Sequence, residues 1–168
     1  MMKLKKMIGL GLASLICITS LSALARGKGY TSYGPEEMRF GAGLYLGEPT
    51  GFTFKGYVTE KLAIDGIAGW GLNHKVFTMI GDVTYDFLDI PIDSTVVKLP
   101  LYAGIGTKLE FKVGPNDDTT VGLRAPIGIA VQWLHHPFEV FAEIAPGMKV
   151  SPSAGFDIMG GVGVRFYF

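Results

Sequence analysis

Residues Gly155–Phe168 read GFDIMGGVGVRFYF. Taken with a period of two, the stretch places Phe156, Ile158, Val162, Val164, Phe166 and Phe168 on one face and Asp157, Gly161, Gly163, Arg165 and Tyr167 on the other. Alternation of that kind is the signature of a β-strand with two unlike faces. Here one face carries every large apolar group except Met159, while the other mixes charge, glycine and tyrosine.

Seven earlier stretches repeat the pattern. RFGAGLYL (39–46) sets Phe40, Ala42, Leu44 and Leu46 against Arg39, Gly41, Gly43 and Tyr45. GFTFKGYVT (51–59) sets Phe52, Phe54 and Val58 against Thr53, Lys55, Tyr57 and Thr59. LAIDGIAGWGL (62–72) opposes Leu62, Ile64, Ala68, Trp70 and Leu72 to Asp65, Gly69 and Gly71, with Ile67 as an exception. VFTMIGDVTYDF (76–87) opposes Phe77, Met79, Val83, Tyr85 and Phe87 to Thr78, Asp82, Thr84 and Asp86, with Ile80 as an exception. KLPLYAGIGTKLEF (98–111) opposes Leu99, Leu101, Ala103, Ile105, Leu109 and Phe111 to Tyr102, Gly104, Gly106, Lys108 and Glu110. TVGLRAPIGIAVQW (120–133) opposes Val121, Leu123, Ile127, Ile129, Val131 and Trp133 to Gly122, Arg124, Gly128 and Gln132. FEVFAEIAPGMK (138–149) opposes Phe138, Val140, Ala142 and Ile144 to Glu139, Glu143 and Lys149. Pro126 and Pro146 fall inside two of these segments, where a missing N–H predicts bulges or local widening.

Composition agrees with a membrane setting. The chain has 24 glycines and 12% aromatic residues, and its mean hydropathy is +0.33, which is too apolar and Gly-rich for an ordinary soluble domain. After the first 25 residues, however, no apolar run reaches the roughly 20 residues that a spanning helix needs. A membrane protein without spanning helices must be a closed barrel, since only closure satisfies every backbone group in lipid. The expected fold is therefore all-β: an eight-stranded antiparallel up-and-down transmembrane β-barrel with short loops.

The alternative is a soluble barrel, with its apolar face turned inward around a ligand. The distribution of charge decides against it. A lipid-facing Lys or Arg at the bilayer midplane costs about 2–4 kcal/mol, and a narrow interior needs small residues. The face that combines charges with glycine is the lumen. The inward set is Arg39, Lys55, Asp65, Asp82, Asp86, Lys108, Glu110, Arg124, Glu139, Glu143, Lys149, Asp157 and Arg165, of both signs and nearly balanced. Buried charges need partners, and an eight-stranded barrel is about wide enough for its own side chains to fill. A plugging network is expected, with a pore as the alternative.

On the opposite face the aromatics form two belts. Phe40, Tyr85, Phe87, Trp133, Phe138, Phe166 and Phe168 fall near one set of strand ends, and Phe52, Trp70, Phe77, Phe111 and Phe156 near the other, as amphipathic rings do at two membrane interfaces.

MMKLKK, an apolar run and Ala23 and Ala25 at small-residue positions form a secretory signal peptide over 1–25, cleaved after Ala25 and helical before cleavage. Residues 26–37 are then a periplasmic lead-in and 38–168 the barrel. Cys17, the only cysteine, lies within the signal, so the mature chain has no thiol for a disulfide. The whole chain balances 15 basic against 15 acidic residues. Cleavage removes Lys3, Lys5 and Lys6 and no acid, leaving a mildly acidic protein with no basic surface for nucleic acid.

The segment GVGVRFYF (161–168) resembles the C-terminal signal of bacterial outer-membrane barrels, with Gly163, Phe166 and Phe168 at the matching positions and Gly161 where that signal usually has a polar residue. Together with LGEPTGFTFKGY (46–57) and KLPLYAGIG (98–106), it makes the chain similar to small eight-stranded bacterial outer-membrane β-barrel proteins, an uncharacterised family. The resemblance implies insertion by the barrel-assembly machinery and carries no established activity with it.

Chemistry is sparse. His135 and His136 precede Pro137 in a turn, and His74 follows the third strand. Neighbours in a strand point to opposite faces, so His135 and His136 do not converge on a metal. Ser151 and Ser153 could approach His74 only at the rim. Asn116, Asp117 and Asp118 cluster in one loop, where a solvated turn outweighs calcium binding. No cofactor and no catalytic set is expected. The function expected is an integral outer-membrane protein with a plugged polar lumen and an envelope-structural or surface-interaction role. Its contacts would be outer-membrane lipids and lipopolysaccharide, with an unidentified envelope partner able to meet the long connection LDIPIDSTVV (88–97). The alternatives are transport of a small or amphipathic solute through the lumen or a lateral opening, and, behind that, a lipid-modifying barrel enzyme.

Overall fold

The computed structural model describes residues 34–35, 38–71, 76–92, 94, 96–112 and 119–168. The proposed signal peptide, most of the lead-in, His74 and the Asn116–Asp118 cluster lie outside them.

Ten strand segments build the barrel: β1 Phe40–Gly47, β2 Thr50–Tyr57, β3 Leu62–Trp70, β4 Val76–Asp89, β5 Val97–Lys98, β6 Pro100–Lys112, β7 Thr119–Arg124, β8 Ile127–Trp133, β9 Phe138–Ser151 and β10 Gly155–Tyr167. Two pairs are single staves with a break. β5 and β6 part only at Leu99 and pair with β8 in turn, and β7 and β8 part only at Ala125–Pro126. All pairings are antiparallel, and β10 returns to pair with β1 over Gly41↔Tyr167 to Gly47↔Gly161. Eight staves thus close into a ring, as the alternation predicts.

The prolines act differently from expectation. Pro126 interrupts its stave, while Pro146 stays within β9 opposite Ile158. Each leaves its pair with one ladder bond in place of two: Gly104 N donates to Pro126 O at 2.8 Å, and Ala125 N to Pro146 O at 2.9 Å. The register shifts lie elsewhere, at Asp86/Leu88 and Val121/Gly122. A proline deletes a donor without adding a residue, so the pairing count continues across it.

Burial is inverted relative to a soluble domain. Ile105 is 73% exposed and Phe156 78%, whereas Lys55 and Arg165 are 1% exposed and Glu139 is fully buried. Water would not support so wide an apolar surface, and lipid would. The outward aromatics cluster at both rims. Phe40 meets Phe168 (5.5 Å between ring centres) and Phe138 meets Phe166 (5.3 Å) at what we call the near rim; Trp70–Phe77 (5.1 Å) and Phe77–Phe111 (6.4 Å) line the far rim.

Inside, the rings of Tyr45, Tyr102 and Phe141 pack with Ile67, Ile80, Ala130 and Met159. Glycines make room for them. A Cβ on Gly128 would enter the Tyr102 ring, and one on Gly163 the Phe141 ring. By contrast, a Cβ on lipid-facing Gly81 meets nothing within 4 Å.

The two kinds of glycine should therefore respond differently. Gly128→Ala is expected to lower the stability of the refolded barrel by about 1–3 kcal/mol through overpacking, while Gly81→Ala changes it by less than about 0.5 kcal/mol, both read from denaturant titration.

Candidate functional site

The inward faces of the staves converge on three groups of charges. The group deepest on the near-rim side is built on Arg165 of β10. Its Nη1 donates to Glu139 Oε1 (2.8 Å), its Nη2 pairs with Asp65 Oδ1 (2.7 Å), and Nε and Nη2 both donate to Thr53 Oγ1 (3.1 and 2.9 Å). The guanidinium lies 3.8 Å above the Phe141 ring. Glu139 Oε2 also accepts from Gln132 Nε2 (2.8 Å) and the Tyr167 hydroxyl (2.9 Å). Thr84 Oγ1 donates to Asp65 Oδ2 (2.6 Å).

A chain of bonds continues from there. Gln132 Nε2 donates to the Tyr57 hydroxyl (2.9 Å), which donates to Asp86 Oδ2 (3.1 Å). Lys55 Nζ stands 3.9 Å from Asp86 Oδ1, near the rings of Tyr57 (5.0 Å) and Tyr102 (4.8 Å). The ammonium thus gains ring contacts as well as charge pairing in a place closed to water.

The second group centres on Arg124 of β7, which pairs through Nη2 with Glu143 Oε1 (2.5 Å) and through Nε with Asp82 Oδ1 (3.3 Å). The Tyr102 hydroxyl donates to Glu143 Oε2 (3.1 Å). The third group lies towards the far rim, where Lys108 meets Glu110 (2.8 Å) and Asp157. These carboxylates are partly open, at 18% and 21% side-chain exposure, so their pairing is screened in a way the deeper groups are not.

Two further charges belong to the expected lumen set. Arg39 precedes β1 at the near rim, and its carbonyl accepts from Tyr57 N (2.9 Å). Lys149 lies on β9 between its register partners Gly122 and Gly155, half-buried and with no ion pair among the described residues.

Charge alone is an incomplete guide to this interior. Phe141 and Met159 are buried within it, and Thr53, Thr84, Tyr57, Tyr167 and Gln132 supply essential bonds. Phe141 was legible in the period itself, since Val140 and Ala142 on either side of it face outward.

On the outer wall, Phe40, Trp70, Phe77, Tyr85, Phe87, Phe111, Trp133 and Phe138 all present at least part of their rings to the surroundings. Gly163 faces the lumen, and Phe166 and Phe168 face out. His136 lines a shallow outer groove with Trp133, Phe138, Val140 and Val164. Among the described residues no group of three or more His, Cys, Asp or Glu side chains is placed to hold a metal ion.

The barrel is similar to the crystal structure of the N-terminal β-barrel domain of Pseudomonas aeruginosa OprF, with 14% identity and a TM-score of 0.51, over 78% of this chain and 96% of that one. At that identity the likeness is one of fold. No protein-family model and no curated protein matches the chain.

The depth of the two kinds of pair sets their energetic weight. Glu139→Leu strands the buried Arg165 guanidinium with one carboxylate fewer and is expected to cost about 3–5 kcal/mol. Glu110→Ala, at the open group, is expected to cost no more than about 1 kcal/mol. Equilibrium unfolding of both variants in lipid vesicles measures the difference.

Proposed function

From the fold of an outer-membrane β-barrel, we propose that this protein is an integral, non-enzymatic barrel of the Gram-negative outer membrane, closed along its axis, with an envelope-structural or surface-interaction role. One observation carries the closed state: Gln132 on β8 bonds Tyr57 on the facing stave β2, Arg165 on β10 pairs with Asp65 on β3 and Lys108 on β6 with Asp157 on β10, and the rings of Tyr45, Tyr102 and Phe141 pack in the same interior. An ion crossing that section would have to displace ion pairs that the interior holds tightly.

Membrane residence rests on the inverted burial. The near rim, which receives both Phe40 and Phe168, is taken as periplasmic, consistent with an even number of staves. Outer-membrane phospholipid and lipopolysaccharide are then the partners of the apolar wall. The barrel-assembly machinery is the partner during insertion, with Gly163, Phe166 and Phe168 as the signal. The connection between β4 and β5 offers Ile92 and Val96 to another envelope component.

A second reading, passage of an amphipathic solute through a lateral gap, is favoured by the ladder bonds missing at Pro126 and Pro146. Conductance separates the readings that involve the lumen. In planar bilayers the purified protein is expected to show no discrete openings, and Lys108→Ala and Glu110→Ala to stay silent as well. Openings whose conductance or ion selectivity changes in those variants would overturn the closed barrel.

The lipid wall has its own test. Ile105→Lys, at the middle of β6, is expected to cost about 2–4 kcal/mol in vesicles, and Phe156→Lys, near the far rim, at most about 1 kcal/mol. Equal, small costs at both positions would contradict a membrane-spanning wall.

A further inference from the structure

The β1–β10 seam differs from the others. Hairpin turns hold β1 to β2, β2 to β3 and β9 to β10, so a seam of that kind, once opened, closes again over a short loop. The β1–β10 seam joins the first stave to the last, with nearly the whole barrel as its loop, and loop closure costs more as the loop lengthens.

Its inner surface is also unusual. The inward register pairs are Gly41↔Tyr167, Gly43↔Arg165, Tyr45↔Gly163 and Gly47↔Gly161. Every pair contains a glycine. Opposite each large side chain there is no side chain at all, so the groups on β10 are free to lie across β1. Tyr167 does so over Gly41, where an added Cβ would come within 2.9 Å of its ring, and reaches Tyr57 on β2 (6.4 Å between ring centres). Arg165 does so past Gly43. Beyond β1 it bonds Thr53 on β2 and pairs with Asp65 on β3, while Nη1 holds Glu139 on β9.

We propose that Arg165 is the latch of the barrel: by gripping β2 and β3 on one side and β9 on the other, it holds closed the seam between the first stave and the last. Tyr167, bonded to the same Glu139, is its second arm. The two faces of β10 then have separate tasks, the outer face packing into lipid and the inner face locking the ring. The acceptors of the latch sit on three other staves, so it completes only when those staves are in place.

The latch predicts a localised effect. In Arg165→Met, amides of β1 and β10 should exchange with deuterium about tenfold faster, the loss expected when charged hydrogen bonds across the seam disappear, while amides paired between β3 and β4 keep their protection. Thr53→Val removes only the acceptor on β2 and should raise exchange at the same seam by a smaller factor, about threefold. It keeps the test open should Arg165→Met fail to fold.

A disulfide distinguishes a latch from a general structural role. Leu44 and Val164 are outward register partners across the seam, and Ala68 and Met79 across β3–β4; paired antiparallel positions suit the Cα spacing of a disulfide. Leu44→Cys with Val164→Cys should restore protection in the Arg165→Met or Thr53→Val background, and Ala68→Cys with Met79→Cys should not. Unchanged exchange at β1 and β10 in Thr53→Val, or equal rescue by both disulfides, would overturn the latch.

Discussion

A strand in hydrocarbon can leave no backbone N–H or carbonyl unpaired, so the eighth stave must return to the first. A ring of eight is narrow, and its interior has to be filled by the chain itself. Once the outer wall is apolar, the polar residues of every stave are forced into that interior together. They are tolerable there only if each charge finds an opposite charge and enough hydrogen bonds. The groups around Arg165 and Arg124 supply the opposite charges, each guanidinium facing two carboxylates, and in doing so they fill the lumen.

Filling and closing are thus one solution. Side chains that block the axis are the same ones that tie distant staves together, because a bond across a narrow ring joins strands far apart in sequence. Glycine makes this geometry possible: Gly128 and Gly163 give up the space that Tyr102 and Phe141 occupy. The apolar layer of Tyr45, Ile67, Ile80, Phe141 and Met159 adds packing between the charged groups. The far-rim group of Lys108, Glu110 and Asp157 is of a different kind, since partial exposure leaves it weakly coupled and tolerant of change.

Much of this was legible in the sequence. The period of two in segments such as RFGAGLYL and GFDIMGGVGVRFYF leads directly to strands, faces and an inverted barrel, because a one-residue step reverses a side chain's face. Partners were not legible. That Arg165 meets Asp65, a hundred positions away, depends on the stagger between staves, which no local pattern records. Pro126 shows another limit: a missing donor is certain from the residue, but whether the stave bends, bulges or merely breaks depends on its neighbours. Thr53, Gln132 and Tyr57 look unremarkable in the chain and become important only where the ring brings them beside a buried charge.

Single-cysteine labelling along β8 reads out both an apolar wall facing lipid and a closed lumen. Ile129 and Val131 face outward, and Ala130 between them is 1% exposed inside. In the protein inserted into vesicles, a lipid-phase thiol reagent should label Ile129→Cys and Val131→Cys, and neither that reagent nor a water-soluble one should label Ala130→Cys. Labelling of the two outer positions by the water-soluble reagent would contradict a lipid-facing wall, and rapid labelling of the inner one by that reagent would contradict a closed lumen.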